Sequence, residues 1–158
     1  MYGMALCLLS IVTGCESVEC PLNNTVYTTY GFYVMDNGEP TTVRIVDTLT
    51  VTAAGTDSVL INRMYNTAQM ELPMSYFSDT DTLALKITDK ENRSTFDTIW
   101  ISKYNYEHYE SPACPTAMFH YIHGVRSTHR LIDTVTLVNP NVNYYASENF
   151  KIIFHAGN

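Results

Sequence analysis

The sequence is short of most features that announce a function. Only 9 of its 158 residues are Lys or Arg, against 16 Asp or Glu, for a formal net charge of -7. The basic footprint of a nucleic-acid binder is therefore missing. Gly numbers 7 and Pro 6, too few for a collagen-like or low-complexity chain. There is no Gly-rich phosphate loop and no Gly-x-Ser-x-Gly elbow. No apolar run approaches the ~18–20 residues of a membrane-spanning helix, and no stretch carries sustained helical periodicity behind an N-cap. Charged residues make up only 16% and hydrophobic residues 46%, which excludes a disordered chain. What remains is one ordinary domain, long enough to bury a core.

Met1–Gly14 holds no charged residue, and its apolar run Met4–Val12 is short. That suits the apolar region of a secretory signal, typically about 7–15 residues. Val12-Thr13-Gly14-Cys15 follows and is similar to the bacterial lipobox, in which small residues precede a cysteine. The similarity implies a diacylglyceryl thioether on Cys15 and cleavage before it. The competing reading is a chance Gly-Cys closing a buried strand. No Lys or Arg precedes the apolar run, which departs from the pattern and suggests a start upstream of Met1. The expected layout is a signal over 1–14, a lipidated tether over 15–24 and a folded domain over 25–158. Acyl chains contribute about 0.8 kcal/mol per buried methylene, so the domain would be held at a membrane surface.

Of 4 Cys, Cys7 would leave with the signal and Cys15 would carry lipid, leaving Cys20 and Cys114. In an oxidising compartment an even pair suggests a disulfide. Pro21 and Pro115 follow the two residues and keep each out of a helix. Two free thiols or a metal pair are the alternatives, and two Cys alone make a poor zinc site.

Elsewhere apolar and polar residues alternate with a period of two, the strand signal. Thr25–Met35 reads this way and ends at Asp36-Asn37-Gly38, a hairpin turn. A pattern Asp-Thr-apolar-x-apolar recurs at Asp47, Asp81, Asp97 and Asp133. It reads as a strand-entry device, with Asp in the turn, Thr outward and the apolar pair inward. Val59–Asn62, Gln69–Leu72, Thr116–His123 and Phe150–His155 are further strands. Turns are expected at Ala54-Gly55, Asp89–Asn92, His123-Gly124 and Asn139-Pro140. Many short strands predict an all-β fold, an antiparallel sandwich of Ig-like or transthyretin-like type.

Candidate sites are few. His120 and His123 fall on opposite faces of one strand, while His123 and His129 could converge across a turn at Gly124. Glu107 and Glu110 could form a carboxylate pair only if a cleft separates them suitably. These weak signals make an enzyme, such as a metal-dependent hydrolase, a distant reading, and no cofactor or metal is implied. A binding surface has more support. Trp100 is expected to face outward, with Tyr104, Tyr106 and Tyr109 in a following loop, and exposed aromatics stack on sugars or anchor protein interfaces. The competing reading packs that loop over Trp100.

Cys15–Val26, Leu72–Tyr76, Phe119-His120, Gly124–His129 and Asn139–Tyr144 together resemble an uncharacterised envelope lipoprotein family of the Bacteroidales, labelled only as a domain of unknown function. The resemblance runs over the whole mature chain. It implies an envelope lipoprotein of the outer membrane, and it brings no catalytic residues. The expected role is a structural or accessory domain that binds another envelope protein, with a surface glycan-binding lipoprotein as the alternative. In that lineage Asp-Ser/Thr is similar to the acceptor motif for protein O-glycosylation. Thr48, Ser58, Thr82, Thr98 and Thr134 would be the acceptors.

Overall fold

The computed structural model describes residues 20–21, 24–56, 58–145 and 147–156. The signal segment and Cys15 lie outside the described residues. Every element among those described is a strand, as the period-two patterning predicts, and no described helix is long and apolar enough to cross a membrane.

Two sheets form the fold. In the first, β1 (Tyr27–Asp36) is central. Along one edge it pairs in parallel with β11 (Glu148–Phe154), which pairs antiparallel with β9 (Ile132–Leu137). Its other edge is shared by β2 (Glu39–Thr42) and β5 (Gln69–Pro73), both antiparallel. The second sheet is antiparallel throughout, in the order β10 (Asn141–Val142), β8 (Ala117–Ser127), β7 (Ser94–His108), β6 (Thr80–Thr88), β3 (Ile45–Ala53), β4 (Val59–Thr67). The sandwich is thus antiparallel except for the β1–β11 pair, where the first and last strands meet. A parallel pair needs a long crossover, and here the intervening chain supplies it.

The hairpin turn forms where expected: Asn37 and Gly38 take φ of 50° and 87°, and β1 pairs with β2. Positive φ at both central residues suits the right-handed strand twist. At Val43-Arg44 and again at Ala68 the chain crosses between sheets, so β2–β3 and β4–β5 form two corners. The outermost strand β4 carries left-handed Arg63 and Asn66, and its register with β3 is irregular. Such bulges disrupt the ladder and blunt an exposed edge.

The apolar pairs of the recurring pattern do face inward. Leu49 and Val51, Leu83 and Leu85, and Ile99 and Ile101 are buried. Opposite them lie Tyr30, Phe32, Phe150 and Ile152, with the Tyr30 and Phe150 rings stacked at 5.0 Å. Each buried side chain of this size contributes roughly 1.5–3 kcal/mol.

Three expectations are corrected. His123-Gly124 is no turn: β8 runs through it, and a register shift opposite Ser102/Lys103 absorbs His123 as a bulge. Tyr104 and Tyr106 are not in a loop, because β7 continues to His108. Asp97 does not mark strand entry; it is the fourth residue of β7 and is only 3% exposed. A glycine or an aspartate signals a turn only when the neighbouring chain provides no ladder partner or hydrogen-bond donors for it.

Strand β7 spans its sheet lengthwise, about 46 Å at ~3.3 Å per residue. Near its His108 terminus lie the segments 74–79, 109–116 and 143–145 and the Cys20–Cys114 disulfide, whose Cα atoms are 5.4 Å apart. This is the disulfide end. Near its Ser94 terminus lie the turns at Asn37-Gly38 and 89–93 and the connection 128–131.

Candidate functional site

The end remote from the disulfide opens into a cleft of about 680 Å³. Its apolar lining comes from Val34, Val43, Ile45, Ile87, Leu131 and Phe154, contributed by both sheets and by the β2–β3 corner. Its rim is charged: Arg44 on the corner, Asp47 on β3, and Asp89, Lys90, Glu91 and Arg93 on the β6–β7 turn. That turn is well braced. The Asp89 carboxylate accepts from the amides of Glu91 and Arg93, both at 2.9 Å, and from Arg93 Nε at 2.7 Å. Arg44 in turn donates to the Asn66 carbonyl at 2.5 Å across the corner.

Asp97 secures the other wall. Its carboxylate accepts from the amides of Arg130 at 3.0 Å, Leu131 at 2.7 Å and Ile132 at 3.0 Å, and from the Thr128 hydroxyl. Burial alone would raise this carboxyl, but the four donors outweigh it and hold it below the ordinary carboxylate range. The 128–131 connection, and with it Leu131 in the cleft, is fixed by one side chain.

The disulfide end has a polar cluster between the sheets. Lys103, with no exposed surface, donates from Nζ to the carbonyls of Ser75 at 2.6 Å and Ser78 at 2.5 Å and to Asn105 Oδ1 at 2.7 Å. Asp81 Oδ2 lies 3.8 Å away and accepts from the Ser75 amide at 3.2 Å. Burial pushes the Lys103 ammonium down and the Asp81 carboxyl up, each partly opposed by the other. His120, also fully buried, lies 2.7 Å through Nδ1 from Asn105 Oδ1. Since that oxygen can only accept, Nδ1 carries the proton. Desolvation and then the Lys103 charge lower His120 to about 4, so it is neutral near pH 7. The cluster pins the 74–79 connection rather than lining a cavity, and sequence reasoning missed it because one Lys in an alternating strand looks like a solvated residue.

The expected binding surface is partly assembled. Trp100, Tyr104 and Tyr106 share the outer face of β7. The Arg126 guanidinium covers Trp100 at 4.0 Å from the ring, so a neighbouring strand, not a folded-back loop, shields it. Tyr104 is exposed, paired with Tyr121 and 4.5 Å from the His123 ring. Tyr106 meets Phe119, which His108 and Tyr144 also cover. Tyr109 stands apart beyond the strand, bonded to Glu107, while Glu110 lies 3.1 Å from His108.

The histidines do not converge. His120 faces inward and His123 outward, and His129 contacts the Asp133 carbonyl at 2.8 Å in the next connection. Among the described residues no group of three His, Cys, Asp or Glu side chains could hold a metal. Of the expected glycosylation acceptors, Thr48, Thr82 and Thr98 are half-buried on inner strands of the larger sheet. Ser58 and Thr134 are exposed, at the start of edge strand β4 and on edge strand β9.

No curated protein and no solved structure matches the chain. The family of unknown function DUF6452 matches residues 48–154, from within β3 to the last residue of β11. The buried cluster, the aromatic face of β7 and the part of the cleft built by Ile87, the 89–93 turn, Leu131 and Phe154 fall inside that span, whereas Cys20, β1 and the β2–β3 corner precede it. On this match over most of its length, the chain belongs to the DUF6452 family of unknown function.

Proposed function

We propose that this protein is a lipid-anchored lipoprotein of the bacterial cell envelope, seated at the outer membrane, and that its sandwich is a non-enzymatic domain binding another envelope protein. The observation that carries the reading is the separation of tether from cleft. The disulfide fixes Cys20 at one end of the sandwich, five residues after Cys15 of the lipobox-like segment. The cleft opens at the other end. A lipid on Cys15 would leave that cleft facing away from the bilayer, open to a partner. Its apolar floor and charged rim match the anatomy of a protein interface, where a few anchoring side chains fill a pocket and polar groups ring it.

A second reading, a surface glycan-binding lipoprotein, is favoured by one observation. Tyr104, Tyr106 and Tyr121 are exposed together on the outer face of β7 and β8, with rings and hydroxyls available to a sugar.

Metabolic labelling with an alkyne fatty acid tests the anchoring. The native chain should take up label and lose its first fourteen residues, whereas Cys15→Ala should do neither. Label retained by the variant overturns the reading. For the cleft, crosslinking in the native envelope should give a discrete adduct that Leu131→Asp abolishes and Tyr104→Ala spares. The reverse pattern selects the outer face.

A further inference from the structure

We propose that the disulfide end of the sandwich rests directly on the lipid surface, with Phe77, Tyr109 and Tyr145 seated among the headgroups of the bilayer. The direction of this inference rests on the anchoring reading; its test does not.

Phe77 is 97% exposed and Tyr145 85%, the two most exposed large apolar side chains among the described residues, and Tyr109 is 61% exposed. They come from three different segments, 74–79, 109–116 and 143–145, all at the end where the disulfide holds Cys20. Their exposure does not come from fraying. The Ser75 hydroxyl accepts from the amides of Phe77 and Ser78 at 3.4 and 3.2 Å. Beneath that turn, Lys103 and Asn105 hold the Ser75 and Ser78 carbonyls. The Tyr145 amide donates to Asn143 Oδ1 at 2.8 Å, next to a Tyr144 ring packed on Phe119. A rigid turn that presents a phenylalanine wholly to water gains nothing from it in the isolated domain.

Chain length identifies the occupant. Cys20 follows Cys15 by five positions, a reach of at most about 18 Å. The opposite end of β7 is about 46 Å away. Acyl chains on Cys15 can therefore bring only the disulfide end to the bilayer. Charge identifies the force. Asp79, Glu107 and Glu110 lie on or beside these connections, while Lys103 is buried. Attraction to anionic headgroups is thus absent, and the contact is the interfacial seating that aromatic side chains favour at a membrane boundary.

The chain from Cys15 onward contains the whole core, which runs from Val26 to Phe154, and with the disulfide formed Cys15 is its one free thiol. Coupling that thiol to a maleimide phospholipid in phosphatidylcholine vesicles supplies the anchor without cellular processing. Phe77→Trp and Lys90→Trp then report from opposite ends, against the emission of native Trp100. With bromine-labelled acyl chains, position 77 should lose emission roughly twofold and position 90 should match the unsubstituted protein. Raising salt from ~0.1 to ~0.5 M should leave the quenching unchanged. Equal quenching at both positions, no quenching at 77, or collapse in salt each overturns the proposal. Loss of fatty-acid label on the native chain would instead overturn the anchoring reading alone.

Discussion

The two ends of the sandwich are closed by opposite chemistry built on one row of side chains. Asp97, Ile99, Ile101, Lys103 and Asn105 share the inner face of β7. At the cleft end, a buried carboxylate gathers three amides and a hydroxyl from the 128–131 connection and the start of β9. At the disulfide end, a buried ammonium gathers two carbonyls and an amide oxygen from the 74–79 connection and its own strand. Each loop has backbone groups that no ladder satisfies, and leaving such groups buried and unpaired costs about 1–3 kcal/mol apiece. One charge of the right sign satisfies several at once. The ends differ in what surrounds that charge: braced, charged turns frame a cleft at one, and exposed aromatic side chains project from the other.

The largest way to break this comparison is to cut the covalent link that only the disulfide end has. The bridge closes a loop of 94 residues, worth roughly 4–5 kcal/mol in the chain-entropy model. Cys114→Ala should lower the urea unfolding free energy by about that amount. Hydrogen exchange should accelerate at residues 111–117 and stay slow at the Arg130, Leu131 and Ile132 amides. If those three amides accelerate equally, the ends are not independent.

Asp97→Ala should cost about 3–4 kcal/mol, because three amides and the Thr128 hydroxyl lose their acceptor together. Here the cleft end should exchange first and the disulfide end stay protected. The acid response carries a definite sign. The folded pKa of Asp97 lies below its unfolded value, so its stabilisation is complete above the ordinary carboxylate range. It is lost as pH falls through the lower, folded value, so acid opening of the cleft end belongs below about pH 4.

Mild acid should reach the other end sooner. His120 has a folded pKa of about 4 against an ordinary 6.5, so between these values the unfolded chain binds a proton that the folded chain refuses. Stability should therefore fall with pH across that window, by about 2 kcal/mol between pH 7 and 5. Asp81, raised by burial, opposes this slope. The informative quantity is thus the difference between the native chain and His120→Gln, measured by urea unfolding at both pH values. Equal losses in the two proteins would remove His120 as the acid-sensitive group.

Much of the fold was legible because burial imposes alternation. Leu49, Val51, Leu83, Leu85, Ile99 and Ile101 sit where the recurring pattern puts them, and Asn37-Gly38 turns the chain because both residues tolerate positive φ. The disulfide was legible from cysteine parity. What was hidden depends on partners distant in sequence. Asp97 looks like a strand-entry residue until the amides 33 to 35 positions later are seen to converge on it. Lys103 looks solvated until the 74–79 connection folds over it. The cleft was invisible because Val34, Ile87, Leu131 and Phe154 belong to separate strands or connections, each an ordinary core-facing position on its own. The parallel β1–β11 pair leaves no local trace, since it joins the two extremes of the domain.

The smallest expected effect is the sharpest test of whether the exposed aromatic side chains belong to the fold at all. Phe77 is 97% exposed, and its turn is held through the Ser75 hydroxyl, Lys103 and Asn105 rather than through its own ring. Substituting it removes almost no buried apolar area, and surface changes away from such supports stay within about 0.5 kcal/mol. Phe77→Ser should leave the unfolding midpoint and its slope on urea unchanged, and should leave exchange at Ser78 and Lys103 as slow as in the native chain. A side chain under folding constraint would behave like Asp97, with a large loss confined to its own end. A loss above about 1 kcal/mol would mean that Phe77 packs in solution against a surface of the domain itself. The contrast between a cleft framed by braced charges and an end that presents rings to its surroundings would then dissolve into ordinary core packing.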